Sequence, residues 1–302
     1  MSYNASYARL YQSACQIEEA GTGTWLTRGA NFLVAVTRVK AGTRLVRIDN
    51  PDEYIAFLPD TGAKIEANGS TIDAGVETVS IVPPGASSVT ATGDGQIVRI
   101  FSSQARDLLD LAGNATIYAN GAPGVAPPGS WPAPADGFKL RHYRVADFDK
   151  PDSNMRIFRS ANLMINVLKK RTEPRDIKKL SPHTHADFEQ ASLALQGTYV
   201  HHLRWPWTPD MTAWQDDRHE EMASPSVLVV PPKVVHTSRN INSAGWLVDV
   251  FSPPRLDFCA KPGMVCKIHI SYLTAKNQLV FYQMIISLVV NIEEVDVMTL
   301  LN

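Results

Sequence analysis

Residues 183–189 read HTHADFE: two histidines one residue apart, then a glutamate four residues past the second, in a chain with eight histidines in all. On an extended strand alternate side chains share a face, so His183 and His185 point the same way. Glu189 has the same parity and follows them if the register continues. Two imidazoles and a carboxylate on one side suit a divalent metal of intermediate hardness.

Bulk composition narrows the field. At 302 residues the chain is long enough for two ordinary domains, each with its own core. It is 44% hydrophobic and 20% charged, with a formal net charge of −1. Near-neutrality argues against a nucleic-acid partner, which asks for a basic excess or stripe. Cys15, Cys259 and Cys266 are too few for a disulfide scaffold and fit a reducing compartment. The start, MSYNASYARLYQSACQ, lacks the basic-then-apolar order of a secretory signal. The most apolar run, LVFYQMIISLVV (279–290), is too short to span a bilayer. The expectation is a cytoplasmic protein without a membrane partner.

Residues 120–137, NGAPGVAPPGSWPAPADG, hold five prolines and four glycines, a density that no strand or helix survives. On either side lie short apolar segments rich in Val, Ile and aromatics: NFLVAVTRV, YIAFLP, VSIVPP and IVRIF before, NLMINVLKK, ASLALQG, TYVHHLRW, SVLVVPP and WLVDVFSPP after. Such runs, punctuated by Gly, Asp, Asn and Pro, predict β-sandwiches or barrels. Helix is expected only over 103–119 and in part of 5–19. IVPPGASSVTAT (81–92) and VVPPKVVHTSRN (229–240) align on their double prolines, with Ser88 opposite His236. A repeat of roughly half the chain marks a duplicated domain.

HTHADFE, then Gly197, then PPKVVHTSRN resembles the two signatures of the cupin superfamily, G-x5-H-x-H-x3,4-E-x6-G and G-x5-P-x-G-x2-H-x3-N. His183, His185 and Glu189 match the first, although Gly197 arrives one residue late. Pro231, His236 and Asn240 match the second, although Lys233 replaces its glycine and Pro225 stands at its leading glycine. The N-terminal half keeps Pro83 and Gly85 but has Ser88 for the histidine, and RIDNPDEY (47–54) has no histidine at all. The likeness covers residues ~25–100 and ~155–256.

The resemblance implies an all-β fold of two tandem cupin barrels (double-stranded β-helices, or jelly rolls) with a few short helices. The implied domains are a degenerate N-terminal cupin (1–120), a linker (121–137), a metal-binding C-terminal cupin (138–265) and a tail of unassigned role (266–302). It also implies one divalent transition metal (Fe, Mn, Ni, Co or Zn) on His183, His185, Glu189 and His236. Barrels of this kind commonly pair, so a homodimer is expected.

Further candidates carry a bland reading beside the functional one. Tyr199 is a possible proton shuttle. His202, beside His201 on TYVHHLRW, faces the opposite side from its neighbour, so at most one of the two enters the barrel. Arg204 could clamp a carboxylate or sit in solvent, and Lys233 could bring an ammonium to the site or point outward. WPWTPDMTAWQDDRHEEM (205–222) reads equally as a lid or an anchored loop, with His219 in an acidic, solvated stretch. His142 reads as a structural or surface residue, and the basic run LKKRTEPRDIKK (168–179) as a solvated loop in preference to a phosphate- or membrane-binding patch.

Three functions remain open. The first is an oxygenase acting on a small anionic or polyhydroxylated molecule through a 3-His-1-Glu centre, as the resemblance to bicupin dioxygenases for aromatic hydroxy acids implies. The second is a non-redox isomerase or lyase using the metal as a Lewis acid. The third is a binding or storage cupin without catalysis. Fold analogy does not choose among them.

Overall fold

In the computed structural model the described residues are 3–19, 21–128, 134, 137–261 and 263–265. Cys266 and the segment 266–302 lie outside them, as does most of 129–136. The apolar runs form strands, and the described residues contain two sheet pairs. Around the first half, a seven-stranded sheet runs in the order 141–144, 78–82, 54–58, 95–102, 32–39, 22–28, 17–19. It faces a four-stranded sheet ordered 44–50, 85–91, 63–67, 70–74. Around the second half, a six-stranded sheet runs 6–9, 226–230, 190–196, 246–251, 164–167, 157–159, with a three-stranded sheet of 218–223, 198–204, 235–240. All of these pairings are antiparallel, and most join strands distant in the sequence. Among the described residues helix is confined to short pieces such as Arg106–Leu109 and Leu256–Ala260. The expected helix in 5–19 is instead the strands Ser6–Arg9 and Ile17–Glu19.

The core of the first barrel is built from alternate residues: Leu33 and Ala35, Tyr54, Ala56 and Leu58, Ile65, Val89, Ile97 and Phe101. That alternation is the period of two in the sequence turned into an inside and an outside.

The halves do not end where the linker suggests. Ser6–Arg9, from the start of the chain, is an edge strand of the second barrel, with Ser6 opposite Val229 and Arg9 opposite Ser226. Arg141–Arg144, beyond the linker, is an edge strand of the first barrel, with Arg141 opposite Ile81. The boundaries 1–120 and 138–265 are thus crossed by a strand in each direction. Both barrels fall in one compact unit.

A repeat that the double prolines conceal explains how they fit. Residues 28–36, RGANFLVAV, and 159–167, RSANLMINV, open corresponding strands of the two barrels. The backbone N–H of Ala161 donates to Glu53 Oε2 at 2.9 Å, and that of Ala30 donates to Glu189 Oε2 at 2.5 Å. Each glutamate stands immediately before a central strand of its own barrel, Tyr54–Leu58 or Gln190–Gln196, and caps the Ala-Asn loop of the other. Asn162 Nδ2 donates to Asp52 at 2.8 Å, and Asn31 Nδ2 to the Ser252 carbonyl at 3.3 Å. Buried carboxylates filled by such donors fix how the barrels meet.

Candidate metal centre

The strand pairing brings the histidines together. His183 and His236 face each other across an antiparallel bridge, the His183 N–H donating to the His236 carbonyl (3.1 Å) and the His236 N–H to that of His183 (2.8 Å). Their ring centroids are 4.4 Å apart, and His185 lies 5.1 Å from His183 and 5.2 Å from His236. One nitrogen from each ring lies within 4.8 Å of the others. Hydrogen bonds orient two of the rings. Carbonyl oxygens of Ser181 and Val234 sit 3.0 Å from Nδ1 of His183 and His236, so each Nδ1 carries the proton and each Nε2 keeps its lone pair. His236 Nε2 is buried and has no hydrogen-bond partner among the described residues. Burial pulls the His185 pKa down to about 4 and that of His236 down to about 3. Both rings are neutral at pH 7, the state that a metal ligand requires.

Glu189 is not part of this cluster. Its strand begins at Gln190, whose side chain faces the pocket; one residue earlier, Glu189 faces the other barrel. There its carboxylate accepts from Tyr3 (2.5 Å), Tyr118 (2.8 Å) and Ala30. Burial raises its pKa despite these donors. Gln190 holds the expected place of the carboxylate: its Oε1 lies 2.8 Å from His185 Nε2, and its Nε2 donates to Asp249 at 2.9 Å. The late arrival of Gly197 was the signal, because counting back from it through the motif lands on Gln190. Gly197 itself turns at φ +85°, and a Cβ there would collide with the Ala244 carbonyl.

The cluster borders a cavity of about 230 Å³, lined among others by His183, His236, Gln190, Asp249 and Tyr199. Lys169, Arg171, Arg175 and Arg255 line it too, so the run 168–179 supplies pocket wall as well as solvated loop. Arg175 is anchored, donating to the Ser238 carbonyl and to Ser181 Oγ, each at 2.8 Å. Arg255 is paired with Asp257 and lies 3.7 Å over the Phe258 ring. The Arg171 guanidinium makes no ion pair among the described residues. Asp249 also accepts from Ser192 Oγ at 2.9 Å, and burial raises its pKa to about 6.

Of the secondary candidates only Tyr199 lines this cavity. Burial raises its pKa, so its hydroxyl keeps its proton. His202 lies on the outer face of its strand and meets His219 there, Nδ1 to Nδ1 at 2.8 Å. Arg204 is exposed and bidentate to Asp217. Lys233 is exposed in a turn at φ +67°, which is why the motif prefers glycine at that place. His201 is the inward-facing member of its pair, fully buried, with Nδ1 2.7 Å from Ser238 Oγ. The Trp-rich loop is anchored by buried Trp205 and ends in an exposed stack of Trp207 on Trp214, and none of the three lines the cavity. His142 binds Ser80 as a structural residue.

In the N-terminal barrel, Ser87 rather than Ser88 holds the inward position: Ser87 Oγ lies 3.1 Å from Tyr54 Oη, whereas Ser88 donates outward to Glu66. Ser87 pairs with Arg47 as His236 pairs with His183. Tyr54 opens the strand that Gln190 opens in the other barrel. Arg99 opposes Ala56 as Asp249 opposes Ser192. The five positions His183, His185, Gln190, His236 and Asp249 are therefore Arg47, Asp49, Tyr54, Ser87 and Arg99.

No family model and no curated protein matches the chain. Solved structures do. Protein Ylba from E. coli, of family model DUF861, superposes with TM-score 0.56 at 9% identity, covering 85% of this chain and 94% of that one. The formate complex of oxalate decarboxylase from Lactobacillus farciminis gives 0.54 at 17%, covering 82% and 86%. Oxalate decarboxylase from Bacillus subtilis, described for its Mn(II) centres, gives 0.54 at 15%, covering 84% and 78%. Among the described residues, no helix is long and apolar enough to cross a membrane. The described barrels and these likenesses agree on one architecture, and the chain has the cupin fold.

Proposed function

We propose that the chain is a metal-dependent enzyme acting on a small carboxylate, with oxygenase chemistry at a centre made by His183, His185 and His236. One observation carries the reading: a cluster of three imidazoles, two of which line a cavity, shares that cavity with Arg171, a guanidinium without an ion pair among the described residues. Three nitrogens, one of their rings oriented by Gln190, suit a borderline divalent ion such as Fe, Mn, Co, Ni or Zn. The buried, unpartnered His236 Nε2 is the atom that most needs such an ion. When bound, the metal supplies electron transfer to dioxygen and polarises the substrate.

The chain's own residues do the rest. Arg171 offers a bidentate fork for a carboxylate. Arg255, braced by Asp257, adds positive potential to the same cavity. Gln190 ties His185 to Asp249 in one hydrogen-bonded chain, so the ring angle and the acid are set together. A volume of about 230 Å³ has room for a small molecule.

A second reading uses the same centre without redox chemistry, as an isomerase or lyase. Asp249 favours it: with a pKa of about 6, its Oδ2 can take and return a proton near neutrality, while Oδ1 stays bonded to Gln190 and Ser192. The test uses tag-free protein purified without chelator, analysed for metal and then assayed with a panel of small hydroxy- and dicarboxylates. Oxygen uptake with Fe or Mn, absent with Zn, supports the oxygenase. Turnover without oxygen uptake, sustained by Zn, supports the second reading. Sub-stoichiometric binding of every metal offered would discard both.

A further inference from the structure

The N-terminal barrel lost its imidazoles but is not an inert scaffold. Arg99 projects inward between Ile97 and Phe101, both members of the barrel core. It is 9% exposed. Its Nε is sealed from water with no hydrogen-bond partner, and neither Nη meets a carboxylate among the described residues. Its guanidinium carbon lies 5.5 Å from the Phe101 ring centroid, and Glu19, the acid that acts on it, makes no ion pair with it. An arginine cannot shed its proton to escape burial, so this is a standing positive charge inside a barrel with no carboxylate in contact among the described residues. The corresponding position of the other barrel holds an acid, Asp249, so the sign of the interior has been reversed.

The surroundings complete a receptor. Arg47 occupies the position of His183, and its guanidinium carbon lies 5.5 Å from the centroid of the same Phe101 ring. It is already neutralised by a bidentate pair with Asp107 and steadied by Asn50. Its charge is therefore spoken for, whereas that of Arg99 is not. Tyr54 Oη and Ser87 Oγ share one hydrogen bond at 3.1 Å, which uses one hydroxyl proton and leaves the other free to donate. The Tyr54 ring packs on Phe101 at 4.9 Å, which fixes its hydroxyl. A guanidinium fork with a hydroxyl donor on the neighbouring strand is the chemistry that recognises a planar monoanion.

We propose that the N-terminal barrel binds a small carboxylate on Arg99, with Tyr54 and Ser87 as hydroxyl partners and Arg47 at its flank. The site is independent of the metal centre, and neither proposal rests on the other. Occupancy would relieve the buried charge and so stabilise the fold, by an amount that rises with the logarithm of anion concentration.

The experiment is thermal melting of the full chain with increasing sodium acetate at constant ionic strength. It is run on the wild type, Arg171→Ala and Arg99→Met. The wild type and Arg171→Ala should both be stabilised by acetate. Arg99→Met should not respond, and without acetate it should melt above the wild type, because the buried charge has gone. Arg99→Lys keeps the charge but not the fork, and should weaken acetate binding by at least about tenfold. It serves as the readout should Arg99→Met fail to fold. An acetate response that survives in Arg99→Met, is unchanged in Arg99→Lys, or is lost in Arg171→Ala would overturn the proposal, as would a wild type that acetate does not stabilise.

Discussion

The two barrels start from one plan and diverge inside it. Their strands pair in the same registers, their Ala-Asn loops are capped by matching glutamates, and their interiors carry opposite chemistry. The C-terminal barrel has three imidazoles, an amide and an acid where the N-terminal one has two arginines, an exposed aspartate, a tyrosine and a serine. What is kept in both is the contact between the barrels, and what differs is the lining. Glu189 belongs to the kept part, although the sequence motif places it in the lining.

Four measurements would break or sharpen that comparison. The largest expected effect is on metal. His236→Ala should weaken binding by at least ~100-fold, whereas Ser87→Ala, its counterpart, should leave metal content unchanged. Elemental analysis that finds full occupancy in the first, or a loss in the second, would contradict the division of labour.

Next comes the pair of caps. Glu189→Ala and Glu53→Ala each strand buried donors and should each lower stability by ~2 kcal/mol in urea unfolding. Glu189→Ala should nevertheless bind metal stoichiometrically; if it does not, its carboxylate is a ligand after all.

Acid should act through the C-terminal lining. His185 and His236, held near 4 and 3, stay neutral in the fold, while in the unfolded chain they take up protons below about 6.5. Their contribution is thus complete above pH 6.5 and is lost as pH falls toward 4. Asp249, raised to about 6, works the other way, holding a proton in the fold that the unfolded chain releases, and offsets part of the loss. The metal-free protein should lose on the order of 2 kcal/mol between pH 7 and pH 5. A flat profile over that interval would mean that the histidines are not buried neutral.

The smallest contrast lies between the two loops. A Cβ at Gly29 would come within 2.7 Å of Glu189 Oε2 and 2.6 Å of the Phe32 ring, so Gly29→Ala should destabilise by ~1–2 kcal/mol. Ser160, its counterpart, already carries a Cβ, and Ser160→Ala should cost about half as much through its lost bond to the Leu163 N–H. Equal costs would argue that the loops are not equivalent.

The fold was legible because alternation and double prolines are local signals, repeated in each half. The three histidines were legible because an H-x-H pair and a Pro-Pro-x4-His phrase sit on strands whose register their turns set. Glu189 was misread because strand parity is fixed by where the strand begins, and only the spacing to Gly197 records that. The basic run 168–179 gave no sign of facing a cavity, since several of its charges do meet solvent. The exchanged strands left no trace in the sequence: SYAR and RHYR read as ordinary short β segments, and their partners are set by tertiary packing.

That exchange has a consequence for how the chain is born. Ser6 can find Val229 only after most of the polypeptide has left the ribosome, and Ile81 must wait for Arg141. Until then each half carries an open edge, the state most exposed to mispairing with another molecule. Contacts so distant along the chain slow the final closure, and they favour melting of the two barrels in one transition, at one temperature.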